Sequence, residues 1–131
     1  MANARLVSQV ARAAFGYDPD APVVLRSFTV VPRQVSIGDA ATIEVELTTD
    51  GTARVPVVVE YLVHFLGPRG PRKAKAFRLA ERTLAPGENC LLRRKHTFGH
   101  VSIRTLHPGE HLVEVQVNGR VLGSCTVDLI A

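Results

Sequence analysis

From Pro22 onward, apolar side chains recur at every second position in short runs, and all but the last of these runs give way to a proline, a glycine or an Asn-Gly pair. Successive side chains of a strand point to opposite faces, so this period builds strands with one buried face and excludes amphipathic helices. The clearest run is Ile43-Glu44-Val45-Glu46-Leu47, with the acids outward and the aliphatics inward. The longest run is 57–65. It places Val57, Val59, Tyr61, Val63 and Phe65 on one face and Val58, Glu60, Leu62 and His64 on the other. That second face is half apolar and calls for a cover.

The remaining runs are 24–31, closed by Pro32, then 75–84, 89–98, 111–117 and 121–130. Ala85-Pro86-Gly87-Glu88 reads as a type I or II turn, and Asn118-Gly119 as a hairpin turn. On the last strand Val121, Cys125, Val127 and Leu129 are expected inward. The stretch 67–73 holds two glycines and two prolines among its first five residues and is read as irregular. About seven strands at this spacing outline an all-β, immunoglobulin/fibronectin III-like β-sandwich. The antibody marks are missing: no tryptophan, no paired cysteines on the second and sixth strands, and no corner tyrosine. The expected division is an N-terminal helix and linker over 1–17 and the sandwich over 22–131. The helix rests on Leu6, Val10 and Ala13 at helical spacing, ended by Gly16 and Asp18-Pro19-Asp20.

The length of 131 residues allows one domain with a real core. No apolar run approaches the roughly 20 residues that span a bilayer, so no membrane role is expected. Residues 1–15 lack the continuous apolar stretch of a secretory signal. Cys90 and Cys125 read as small buried hydrophobes in a reducing, cytoplasmic setting, although a single bridge between them stays open.

Charge is distributed unevenly. Between Leu66 and His107 lie ten basic residues and two acids, a net of +8, while the whole chain carries only +4. A block of charge kept despite self-repulsion commonly meets the opposite sign, and polyanionic nucleic acid is the first candidate. Arg69, Arg72 and Lys73 sit in the Gly/Pro loop. Arg93, Arg94 and Lys95 fall on a strand, where neighbours face opposite ways, so Arg93 and Lys95 act together and Arg94 points elsewhere. Arg104 lies in the loop before His107 and could join either group. Phe65, Phe77 and Phe98 read as core, which leaves no stacking platform for single strands and favours phosphate contact to a duplex.

Chemistry is harder to place. The pairs His96/His100 and His107/His111 fall on a strand end and in loops, where an i,i+4 spacing fixes no tetrahedral point, so they read as surface and turn histidines. Glu44, Glu46, Glu60 and Glu114 read as solvent-facing alternation. No nucleophile elbow, phosphate loop or zinc-protease motif is present. No catalytic residue, metal or cofactor is expected.

One ordered series is more specific. Val57-Val58-Val59-Glu60-Tyr61-Leu62-Val63-His64-Phe65 precedes the basic loop and Lys75-Ala76-Phe77-Arg78-Leu79. Thr83-Leu84-Ala85-Pro86-Gly87-Glu88, Arg94-Lys95-His96-Thr97-Phe98 and the stretch from Thr105 to Gly119 follow. From about Val23 on, this series resembles the C-terminal immunoglobulin-like domain of bacterial DNA alkylation repair proteins of the AlkC type. The resemblance implies a domain that helps to grip DNA, while the catalytic pocket of those glycosylases lies in helical repeats this chain lacks. The expectation is therefore a non-catalytic domain contacting duplex DNA through Arg69, Arg72, Lys73, Arg93, Lys95 and Arg104. Its partners would be duplex DNA, with a helical-repeat DNA glycosylase or a second copy besides. The competing expectation is a protein-interaction or oligomerisation module that uses the outer face of 57–65 and the N-terminal helix.

Overall fold

The computed structural model describes residues 16–67, 69–71, 74–99 and 106–131. The expected helix over 1–17 falls almost wholly outside them. Seven long strands and three short ones form among the described residues. In chain order these are β1 (Val23–Val31), β2 (Gln34–Ser36), β3 (Ala40–Thr49), β4 (Val55–His64), β5 (Leu66–Gly67), β6 (Gly70–Pro71), β7 (Lys75–Leu84), β8 (Cys90–Thr97), β9 (Gly109–Val117) and β10 (Arg120–Ile130).

The strands form two packed sheets. One has the order β1-β3-β8, the other β2-β10-β9-β4-β7, and β5 pairs with β6 alone. Apart from the parallel β2–β10 pair, every ladder is antiparallel. Strand β7 pairs with β4 and leaves β8 as the free edge of the other sheet, which is the fibronectin III-like variant of the immunoglobulin sandwich. Ile43, Val45 and Leu47 of β3 and Leu92 of β8 face Val57, Val59, Tyr61 and Val63 of β4 and Val113, Val115 and Val117 of β9. Each such aliphatic side chain taken out of water contributes about 1.5–3 kcal/mol, which makes this layer the main source of stability.

Alternation places most of these residues correctly, and the departures have physical causes. Strand β3 runs past Ile43–Leu47 at both ends because Ala41 and Thr49 continue the same buried parity. The stretch read as irregular contains the small β5–β6 ladder, in which Leu66 pairs with Pro71 and Gly67 with Gly70. Glycine at the turn makes this possible, since Gly70 has a φ of 112°. The short β2 was not expected. It reaches the sheet because Ile37 N–H and Asp128 N–H bond the carbonyls of Ile130 and Arg33. In β10 a register shift between Val121 and Gly123 turns Leu122, rather than Val121, towards the core.

Both predicted turns form. Asn118 (φ 53°) and Gly119 (φ 85°) give the two positive φ values of a type I′ hairpin. Gly87 at φ 72° behind Pro86 makes the 85–88 turn type II, closed by Glu88 N–H on Ala85 C=O. Cys90 is buried, Cys125 is half-buried, and both are free thiols.

Three polar expectations are corrected. His111 is fully buried, with Nδ1 at 2.9 Å from Gly109 C=O and the ring edge-on to Phe65. Glu60 is buried and accepts from Gln116 Nε2 at 2.9 Å, while Glu114 is half-buried and bonded to His64. Period-two counting assigns Glu60 and Glu114 to a bare outer face, but both faces of β4 are buried. His111, by contrast, has the inward parity of Val113, Val115 and Val117 and is misread as a turn residue.

Candidate nucleic-acid interface

The two sheets leave an open side where the edge strands β7 and β8 run past each other. A bulge shapes the β7 side. Val59 pairs with Ala80 and Glu60 with Arg78, so Leu79 is the extra residue. Phe77 and Ala80, three apart, therefore both face the interior, opposite Tyr61 and Val59. The same geometry puts Lys75 and Arg82 on the inward side of an edge that no other described strand covers, opposite Val63 and Val57. On β8, Cys90 and Leu92 are buried, so Arg94 and His96 share their side, while Leu91, Arg93 and Lys95 face out. Arg93 and Lys95 thus share one face and Arg94 takes the other, as strand geometry requires.

Arg94 uses its inward aim to bridge the sheets, with Nη1 donating to the Arg78 carbonyl at 2.7 Å. Beneath it lies an aromatic floor. The Tyr61 hydroxyl and His96 Nδ1 share a hydrogen bond of 2.7 Å, Tyr61 stacks on Phe77 at 5.2 Å, and His96 meets Phe77 and Phe98 edge-on. Lys75 Nζ lies 5.4 Å from the Phe77 ring centre. Phe98 is core as expected, but Phe77 and His96 are only half-buried because they line this open edge. Burial pushes the Tyr61 hydroxyl above its ordinary pKa, opposed by the nearby Arg94 charge. Burial likewise raises the Cys90 thiol, opposed by Arg82.

The cations differ in how far they are neutralised. Arg93 pairs with Glu44 at 3.1 Å across the β3–β8 ladder, and Arg26 pairs with Glu46 at 3.6 Å on the same face. Arg78 pairs with Glu81. Arg82 donates to the Glu81 carbonyl at 2.8 Å, a contact that leaves its charge uncompensated. Among the described residues no carboxylate pairs with Lys75, Arg82, Arg94 or Lys95. Exposed pairs such as Arg93–Glu44 contribute about 0–1 kcal/mol and are weakened by salt, so Arg93 can exchange partners.

Of the residues expected to touch DNA, Arg69 is exposed in the β5–β6 turn, and Arg93 and Lys95 lie on the outer face of β8. Arg72, Lys73 and Arg104 lie outside the described residues. Lys75, Arg82 and Arg94 were left out of that expectation. Arg94 was set aside for pointing away from Arg93, and the β7 cations fall on the edge only because of a bulge that no sequence period announces.

The family model described as "Uncharacterised protein YhaZ, C-terminal Ig-like domain" matches residues 24–131. The chain is 28% identical over 114 residues to the uncharacterized protein YhaZ of Bacillus subtilis (strain 168), a match covering 87% of this chain and 31% of that protein. A solved structure of Pseudomonas fluorescens alkylpurine DNA glycosylase AlkC, bound to DNA containing an abasic site analog, superposes with a TM-score of 0.89 at 28% identity. That match covers 96% of this chain and 36% of the glycosylase. A β-glucosidase from Erythrobacter marinus shares the fold alone, with a TM-score of 0.69 at 13% identity over 82% of this chain and 15% of its own. The chain spans about a third of the length of YhaZ and of AlkC.

Proposed function

Because the chain belongs to the family of YhaZ C-terminal immunoglobulin-like domains, we propose that it is a non-catalytic accessory domain of DNA alkylation repair that contacts duplex phosphates through its basic edge. The observation that supports this reading most is the set of cations on strands β7 and β8 that have no carboxylate partner among the described residues. Lys75, Arg82 and Arg94 lie along the open edge, and Lys95 lies beside it on the outer face. Lys75 and Arg82 are seven residues apart on one strand, about 20 Å at the usual strand rise. That length suits several successive phosphates. Arg69 extends the row at the end where β7 begins. The likeness to a glycosylase whose structure was solved bound to DNA points the same way.

On this reading the domain supplies salt-sensitive, sequence-tolerant grip, and base chemistry belongs to a helical-repeat glycosylase partner. Arg93 and Lys95 form a second, outer row that Glu44 partly neutralises. The test is fluorescence anisotropy of a labelled duplex at low salt. Changing Arg82 and Arg94 to Ala should weaken binding more than changing Arg93 and Lys95 does. Failure of the unaltered chain to bind at low salt would reject the reading. The competing interaction-module reading loses its main support, because the outer face of β4 is already buried.

A further inference from the structure

The sandwich has a second open side, between β1 and β10, opposite the side where β7 and β8 lie. Where Leu25 passes Gly123 the two strands touch, since a Cβ on Gly123 would sit 2.5 Å from Leu25 Cδ2. Beyond that pinch a cavity of about 320 Å³ opens. That volume lies at the low end of the roughly 300–1,000 Å³ usual for small-molecule sites. Inward-facing Phe28, Val30 and Cys125 give it apolar walls, and Thr29, Ser124 and Thr126 bring hydroxyls to it. Arg33 completes the lining, its carbonyl held by Asp128 N–H at 2.7 Å. Among the described strands β1 pairs only with β3, and β10 has no partner on this side before Asp128. Unpaired backbone N–H groups therefore face the gap as well.

The charge here has one sign. Arg33 is the only charged residue of the lining, and among the described residues no carboxylate pairs with it. Strands β1 and β10 hold one acid between them, Asp128, and it does not line the cavity. Burial raises the Cys125 thiol above its ordinary pKa and Arg33 opposes the rise, so the guanidinium charge is felt inside the cavity.

We propose that this cavity binds a small phosphate monoester with an apolar body, anchored by Arg33. A guanidinium meets a phosphate through two parallel N–H···O bonds. The phosphoryl group offers further oxygens, and Thr29, Ser124 and Thr126 supply hydroxyl donors of the kind they accept. A planar carboxylate has only two oxygens, which the guanidinium alone would occupy. Bare phosphate would engage Arg33 but leave the walls of Phe28 and Val30 uncovered, so an ester with an apolar body fits better. The site is separate from the basic edge of β7 and β8, and the inference is independent of duplex binding.

Cys125 reports occupancy, because it lines the cavity while Cys90 is buried on β8. The probe is phenyl phosphate, and the readout is the rate at which iodoacetamide alkylates each thiol of the full-length chain, followed by peptide mass spectrometry at alkaline pH. Phenyl phosphate well above its Kd should slow Cys125 about five-fold and leave Cys90 unchanged. Inorganic phosphate and benzoate should protect less. R33A should abolish the protection and R33K keep part of it, with the melting temperature unchanged because Arg33 is exposed. No protection in the unaltered chain, protection that survives R33A, or benzoate protecting as well as phenyl phosphate overturns the proposal. Protection by a DNA duplex without terminal phosphates overturns it too, since the cavity would then belong to a DNA surface. Should R33A fail to fold, R33K and the series of anions on the unaltered chain still decide.

Discussion

Arg94 reaches across the open side of the sandwich and donates from Nη1 to the Arg78 carbonyl at 2.7 Å, tying the free edge of one sheet to the free edge of the other. The bond is partly exposed, and a hydrogen bond to a charged donor contributes about 1.5–3 kcal/mol only when well shielded. Arg94→Ala is therefore expected to lower stability by about 1 kcal/mol or less in urea unfolding. The same change should weaken binding to a DNA duplex several-fold. An Arg94 variant of undiminished affinity would remove this residue from the interface.

The Arg93–Glu44 pair makes an opposite forecast. Glu44→Gln removes the carboxylate that holds Arg93 and leaves the strand pairing intact. Duplex affinity should rise two- to five-fold at low salt, with stability changed by less than about 1 kcal/mol. Unchanged affinity in a titration of both proteins would show that the outer face of β8 does not meet DNA.

Asn118 is fully buried, and its side chain serves three backbone groups. Oδ1 accepts from Val58 N–H at 2.9 Å, and Nδ2 donates to the carbonyls of Asp18 and Pro56 at 2.9 and 3.2 Å. Asn118→Gly keeps the positive φ but strands those groups, at a cost of about 3 kcal/mol. Asn118→Ala should cost about 1 kcal/mol more, since alanine resists the left-handed backbone. Equal losses for the two variants in chemical denaturation would show that backbone conformation contributes little here.

His111 sets an acid limit. Burial holds its imidazole below the ordinary histidine pKa, against the opposing pull of the Gly109 carbonyl and Asp128. The unfolded chain therefore takes up a proton first as pH falls. The stability that depends on a neutral His111 is complete above pH ~6.5 and declines as pH drops from there towards the folded value. His111→Phe should flatten the fall in melting temperature between about pH 6.5 and 5. A slope as steep in the variant as in the parent would assign the effect to other groups.

The fold was legible in the sequence because period two and turn chemistry are local. Ile43–Leu47 already states which face is buried, and Asn118-Gly119 states the hairpin. What escaped depends on neighbours. The bulge at Leu79 is a property of the β4–β7 ladder, so Arg82 gave no sign of sharing an edge with Arg94. Glu60 looked like an ordinary outward residue because nothing in its own strand records what lies above it. His111 shared the inward parity of Val113 and Val115 and was hidden only by its place beside the His107-Pro108-Gly109 turn. The charge excess was visible as a number, but its division into cations held by Glu44 or Glu81 and cations left over required the register of two ladders.

The central claim is that this edge binds DNA through phosphates alone, and a salt titration of duplex affinity tests it most directly. If about four phosphates are neutralised, log K should fall with log salt at a slope near roughly −3.6, equally for unrelated sequences. Changing Arg82 and Arg94 to Ala should flatten that slope by about 1.8. A slope indifferent to these two residues, or no binding at the lowest salt, would contradict the account.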